Sequence, residues 1–377
     1  MLIGFGRTCG RQRIVARRLY NILMLLEGIF AAVTTPFYSD ERIYFRKLEA
    51  NMVRYSRSLL AGMLVLGSTG EAVMLDDEES RQVLRAAAEA IAPEKVLIAG
   101  VGRESVSATV ALAETAAEYR YDAILLRPPS YYAGQLSPSA VLNYFQSVAD
   151  RSPLPVILYN IPKFVPYQIP VELVAELANH PNIIGIKDSS ASVERFKETV
   201  ASTETALRRT VTVTPIFEAV TSRMLTPATE PDSGGTFVSA GDLGRGVAVA
   251  ATAPPAPAIK TRTKEVGFQV LCGAGSKVHA SLDAGASGAI LGVAAFVPQA
   301  CVEIYLAWKD RDSQLAEEKQ ARILAANRRI VNELGIAGMK YACDFNGFYG
   351  GRTRSPLQGL TAEEKSEVES LLVGIRS

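Results

Sequence analysis

Only four cysteines occur in 377 residues, at positions 9, 272, 301 and 343, without a CxxC pair or dense spacing. That scarcity excludes a disulfide framework and a cysteine-based zinc site, and it points to reduced thiols in a cytoplasmic protein. Histidine is rarer still, with two residues. His180 precedes a β-rich run and His279 falls in a helical stretch, and no cluster of acids accompanies either, so neither a metal nor another cofactor is expected. Net charge is almost absent, at 40 Lys and Arg against 39 Asp and Glu. No global field draws the chain to nucleic acid or anionic lipid, which leaves a small neutral or acidic molecule as the expected ligand. Apolar runs of the ~18–20 residues that a membrane helix needs are missing. A glycine-rich dinucleotide fingerprint is missing too, since "TTPFYSD" after the first apolar run contains no glycine.

What the chain does have is a repeat of short β-rich apolar runs, each followed by a longer segment of helical period. Strands are expected at 28–34 (GIFAAVT), 62–67 (GMLVLG), 95–101 (KVLIAGV), 122–127 (DAILLR), 155–160 (PVILYN), 182–187 (NIIGIK), 268–273 (FQVLCG) and 288–293 (GAILGV). Near-continuous apolar strands alternating with helices describe a parallel sheet buried on both faces. Eight of them favour an α/β fold of the closed (β/α)8 TIM-barrel type over a doubly wound open sheet.

Three regions stand outside that repeat. Residues 1–26 read as a disordered extension; the order basic then apolar in "RTCGRQRIVARRLYNILMLL" also suits a signal or transit peptide, or codons upstream of a start at Met24. Residues 201–266 are rich in Ala, Thr, Pro and Gly, a composition expected to give a flexible insertion with one short strand near "TVTVTPIF" and no core of its own. Because it follows the helix after the sixth strand, its ends are expected at the barrel face away from the chemistry, and it is read as dispensable for catalysis. Residues 301–377 are expected to form a C-terminal helical region after a barrel spanning 27–300.

In a (β/α)8 barrel the site forms where strands end at the C-terminal face. The sixth run ends on Lys187. By position alone that is a charge reaching solvent, but an amine walled by apolar strands is desolvated, which disfavours its ammonium form and allows attack on a ketone. Tyr159 ends the neighbouring run, where its phenol can give and accept a proton. "GSTGE" (67–71) closes the second run, its glycines permitting a turn whose N–H groups and hydroxyls suit a carboxylate. "LDDEES" just beyond it is a capping box on Asp76 and Glu79, without a catalytic role. "GAGSK" (273–277) could hold a phosphate or could reflect close backbone packing.

Taken in order, "TTPF" (34–37), "GSTGE", "YY" (131–132), "YNIP" (159–162) and "GIKDSS" (185–190) resemble the dihydrodipicolinate synthase and N-acetylneuraminate lyase family of class I, pyruvate-type aldolases. The tail "DFNGFYGGRTRSPLQGLTAEE" resembles its 4-hydroxy-2-oxoglutarate aldolase branch. The resemblance implies a cofactor-free lyase acting on pyruvate or another 2-keto acid and an aldehyde. Lys187 matches the Schiff-base lysine, and Tyr159 the proton relay. Ser68 and Thr69, with Gly67 and Gly273 near them, match the carboxylate grip, Ser68 also continuing the relay. Tyr132 matches a tyrosine that crosses from a neighbouring subunit, which implies a homodimer or homotetramer. One departure bears on substrate: where lysine-pathway synthases carry an arginine after the strand-five tyrosine, this chain has Phe164. That favours 4-hydroxy-2-oxoglutarate or a sugar acid over the condensation with aspartate semialdehyde. A keto-acid-binding barrel without turnover, or a phosphate-binding barrel using "GAGSK", are the other readings.

Overall fold

The computed structural model describes residues 24–215, 218–225 and 259–375. All eight expected apolar runs form strands: β1 (Gly28–Ala32), β2 (Gly62–Val65), β3 (Val96–Gly100), β4 (Ala123–Leu126), β5 (Val156–Asn160), β6 (Ile183–Asp188), β10 (Gln269–Cys272) and β11 (Gly288–Leu291). They pair in parallel and close in the order β1-β11-β10-β6-β5-β4-β3-β2, a (β/α)8 barrel. The fully buried strand residues explain the unbroken apolar runs, because helices cover the outer face and side chains fill the inner one. Glycine serves closure at Gly288, where a Cβ would sit 2.3 Å from the Gly28 carbonyl oxygen.

The helix Pro298–Lys309 follows β11 as the eighth barrel helix, and Ser313–Ala326, Gly335–Phe345 and Ala362–Leu372 form the C-terminal region. The barrel therefore runs to Lys309, and the expected boundary at 300 falls inside a helix. Asp76 caps the helix Asp77–Ala90 in a full capping box with Glu79, as the sequence pattern requires.

The floor of the barrel departs from expectation. Among the described residues three strands lie outside the barrel, β7 (Arg209–Thr214), β8 (Glu218–Ala219) and β9 (Arg262–Val266), in an antiparallel sheet of order β8-β7-β9. The single strand and coreless insertion expected over 201–266 are thus corrected for the described parts. The Ala/Pro/Thr-rich stretch behind the expectation of flexibility, 226–258, lies outside the described residues. Val211 and Val213 of β7, Ala219 and Val266 join Met24, Leu25, Leu26, Phe30, Leu64, Ile98, Leu125 and Ile157 in one apolar cluster that fills the barrel from below. The alternation of "TVTV" is what seats both valines on the same face.

Polar clamps hold this plug at its rim. Arg209 donates to the carbonyls of His180 (2.8 Å) and Ile183 (2.7 Å), and Arg223 bonds the Asp122 carboxylate (2.9 Å). Burial pushes the Asp122 carboxyl up, against the pull of Arg223 and the Leu97 N–H. Lys264 pairs with Glu27, and Lys309 with Glu218. Met24–Leu26 are buried and tied to Gln269, whose side chain accepts from the Leu26 N–H (2.6 Å) and donates to the Met24 carbonyl (2.9 Å). The expected disordered extension therefore cannot include 24–26; residues 1–23 lie outside the described residues.

Candidate active site

At the opposite face, β5 and β6 pair so that Tyr159 stands directly across from Lys187, and Asn160 across from Asp188. Alternation along each strand then sends Tyr159 and Lys187 to one face and Asn160 and Asp188 to the other. Lys187 Nζ donates to Tyr159 Oη at 3.3 Å and lies 4.3 Å from the centre of its ring. Both are nearly enclosed, at 4% and 6% exposure. The amine and the phenol expected to work together are brought together.

Behind them is a buried polar network that sequence reasoning missed. Asp188 Oδ2 accepts from Asn160 Nδ2 (3.0 Å) and Arg195 Nε (2.6 Å), while Oδ1 accepts from the Ser190 N–H (2.7 Å). Asn160 Oδ1 takes the Ile169 N–H (3.1 Å), and Arg195 donates to the Ile169 carbonyl (2.5 Å). With the carboxylate fully partnered, the network fixes the ends of β5 and β6 and the loop after β5 as one unit. The only local sequence signal for it was that Asp188 and Asn160 each follow an inward-facing residue.

The turn after β2 is a single 3-10 turn over Ser68–Gly70, with Thr69 buried. N–H groups at the start of such a turn have no acceptor within it and remain available to an anion. Thr35 Oγ1 donates to the Gly70 carbonyl (2.7 Å), linking the turn to the loop after β1. At Gly67 a Cβ would lie 2.9 Å from Leu64 Cδ2, so a larger residue there would require that buried side chain to shift. Gly292, at the end of β11, would bring a Cβ within 3.3 Å of Thr69 Oγ1 and 3.2 Å of Met339 Sδ, so its bareness leaves room beside that hydroxyl.

Gly273 follows β10, and its N–H donates to the Asp188 carbonyl (2.7 Å); a Cβ there would meet Ser189 Oγ at 2.0 Å. Its absence of a side chain serves a close approach to the end of the lysine strand. Gly275 is packed likewise, its missing Cβ only 2.3 Å from Asn327 Oδ1. Close packing thus accounts for both glycines of "GAGSK".

Tyr132, unlike the enclosed Lys187 and Tyr159, faces outward from its own chain. It lies on the turn after β4, 59% exposed, edge-on to the still more exposed Tyr131 with ring centres 4.9 Å apart. Glu104 organises this turn by accepting from the N–H groups of Ser130 (2.8 Å) and Tyr131 (2.9 Å) and from Arg127 (3.0 Å). Burial pushes the Glu104 carboxyl up, but those donors outweigh it and hold it below the usual carboxylate range. Phe164 is exposed on the loop after β5, and the adjacent Lys163 donates to the Asn332 carbonyl (2.9 Å) in the π-helical segment Asn327–Glu333. Among the described residues no cluster of His, Cys, Asp and Glu is placed to hold a metal, and no helix is long and apolar enough to cross a membrane.

Residues 25–209 and 249–374 match the model of the dihydrodipicolinate synthetase family. The chain belongs to the dihydrodipicolinate synthetase family. Within it, the chain is 28% identical over 351 residues to an L-threo-3-deoxy-hexylosonate aldolase of Aspergillus niger, covering 91% of this chain and 93% of that one. A probable mitochondrial 4-hydroxy-2-oxoglutarate aldolase of Emericella nidulans is 34% identical over 182 residues, or 47% of this chain and 59% of that one. A 4-hydroxy-tetrahydrodipicolinate synthase of Acidiphilium cryptum is 25% identical over 351 residues, covering 93% and 99%. Solved structures from this family share the fold. One is a prophage protein from E. coli K12 in complex with pyruvate, with a TM-score of 0.72 at 23% identity over 93% of this chain and 99% of that one. Another is the dihydrodipicolinate synthase of Aquifex aeolicus, with a TM-score of 0.72 at 22% identity over 92% and 97%.

Proposed function

We propose that this family member is a Schiff-base-forming aldolase of 2-keto acids, with Lys187 as the nucleophile. The observation that carries the reading is the enclosed amine 3.3 Å from a phenol at the mouth of the barrel. Lys187 attacks C2 of the bound 2-keto acid and water leaves, forming an iminium. The C3–C4 bond then breaks, its electrons neutralising the iminium to an enamine, while the proton of the C4 hydroxyl passes to Tyr159 and an aldehyde departs. Protonation at C3 and hydrolysis return pyruvate and the free amine. Ser68 and Thr69, with the backbone at Gly67 and Gly273, form the carboxylate subsite, and Ser68 extends the proton path.

Hydroxylated 2-keto acids, 4-hydroxy-2-oxoglutarate or a sugar acid, are the proposed substrates. Two relatives carry aldolase names of that kind, and at the place where a synthase would grip aspartate semialdehyde this chain has Phe164, with the adjacent Lys163 engaged by the Asn332 carbonyl. The exposed pair Tyr131 and Tyr132 supports a homodimer or homotetramer in which Tyr132 completes a neighbour's site. Buried, unpaired Cys272, Cys301 and Cys343 support a reducing, cytoplasmic setting.

Borohydride reduction in the presence of pyruvate should add one pyruvate-derived mass at Lys187, read by peptide mass spectrometry. A chain left unmodified there would remove the proposal. Pyruvate release should follow with 4-hydroxy-2-keto acids; an adduct without turnover on any such acid, nor condensation with aspartate semialdehyde, would make the chain a keto-acid-binding barrel.

A further inference from the structure

A second lysine is buried more deeply than Lys187 and takes no part in the reaction above. Lys340, on the helix Gly335–Phe345, is 1% exposed. Its ammonium lies 2.5 Å from Glu71 Oε1, donates to the Arg352 carbonyl (2.5 Å), and sits 4.2 Å from the centre of the Phe37 ring. A carboxylate, a carbonyl and an aromatic face surround the ammonium, an ion pair on one side and a hydrogen bond on another, so no open face is left for a ketone. Burial holds its pKa below the ordinary lysine range, in spite of the opposing pull of Glu71.

Glu71 is the residue immediately after the Ser68–Gly70 turn, and its backbone is left-handed, at φ 54 and ψ 32. For a residue with a Cβ that conformation is costly and persists where the surroundings over-determine it. Here they do. One carboxylate oxygen faces Lys340, the other accepts from the Arg354 N–H (2.9 Å), and the Glu71 N–H donates to the Ser68 carbonyl (3.2 Å). Arg354 is itself anchored by a two-pronged bond to Glu79, both arms at 2.7 Å, and its guanidinium lies on Phe37 with Lys340. Gly350 lets this arrangement close, because a Cβ there would be 1.9 Å from the Lys340 carbonyl oxygen.

We propose that Lys340 is a positioning residue: by clamping Glu71 it holds the Ser68–Thr69 turn in the geometry that receives the substrate carboxylate, making the C-terminal region part of the binding machinery. This rests on the aldolase reading of the site. A buried ion pair is seldom the most stable filling for its space, since an apolar or neutral pair of similar shape packs as well. What this pair contributes is the fixed direction of one strained residue beside the turn.

The test uses the full chain in three variants, Lys340→Met, Glu71→Gln, and both together, the double variant guarding against a misfolded single variant with an unpaired buried charge. Melting temperature, kcat and KM on the cleaved keto acid, and the pyruvate concentration that half-saturates borohydride trapping at Lys187 are measured beside the wild type. The double variant should melt near the wild type, retain trapping at saturating pyruvate, and require roughly tenfold more pyruvate or beyond, with kcat much less affected. Glu71→Gln alone, which can still accept from Lys340 and Arg354, should fall between. A folded double variant with wild-type half-saturation would overturn the proposal and leave Lys340 a structural residue. Absence of trapping in the wild type would instead strike the aldolase reading, and the role assigned to the turn with it.

Discussion

At the mouth of the barrel one amine and one phenol are enclosed with each other as bonded partners, whereas at the floor similarly enclosed groups are taken up by carbonyls and carboxylates. Lys187 and Tyr159 are hydrogen-bonded to each other, while Arg209 and Arg223 are spent on carbonyls and a carboxylate around an apolar plug. Burial alone therefore does not mark a functional charge. What separates the two ends is whether the buried group's hydrogen-bonding capacity has been used up.

The sharpest way to break this contrast is at Lys187. Lys187→Ala should abolish both the trapped pyruvate adduct and turnover, with little change in melting temperature. Tyr159→Phe should keep the adduct while slowing turnover by roughly 10²–10⁴, the usual share of a positioned acid–base group, measured as kcat. At the floor the effects should reverse. Arg223→Met leaves Asp122 buried without its partner and should cost about 3–5 kcal/mol in chemical denaturation, with kcat per folded molecule unchanged. Replacing 209–266 by a short loop should likewise lower stability through exposure of Phe30, Leu64 and Ile98. The smallest effect concerns Glu79. Arg354 holds its carboxyl below the ordinary 4.5, so its stabilisation is complete above that pH and is lost as pH falls through the depressed folded value. Glu79→Gln should accordingly flatten the loss of melting temperature between neutral pH and the acid range.

The barrel was legible because each of its strands announces itself locally, as a short apolar run with a helix behind it, and the strand ends put Lys187, Tyr159, Ser68 and Thr69 at one face. The floor was not, because its partners are far apart in the chain and one of them disguises itself. β9 reads "RTKEV", four of its five residues are exposed, and it pairs with a strand some fifty residues earlier. Composition made that segment look like a linker, while its backbone supplied the ladder that seats Val211 and Val213. The supports of the site were hidden for a related reason. Nothing in the sequence around Lys340 distinguishes it from a surface lysine on an amphipathic helix, and its partner Glu71 lies in a motif whose glycines and hydroxyls attract the attention. Arg195 is seven residues beyond Asp188, across a turn, and only the folded loop brings the two together.

The pairing of β5 with β6 makes chemistry depend on parity. Because successive residues of a strand face opposite ways, deleting Gly185 or Ile186 from β6 would put Asp188 in the place of Lys187 and Lys187 in the place of Ile186, turning an acid into the barrel and the amine outward. A change that leaves composition almost untouched would thus convert the seat of an amine into that of an anion, which sets a narrow limit on how this strand can vary in length.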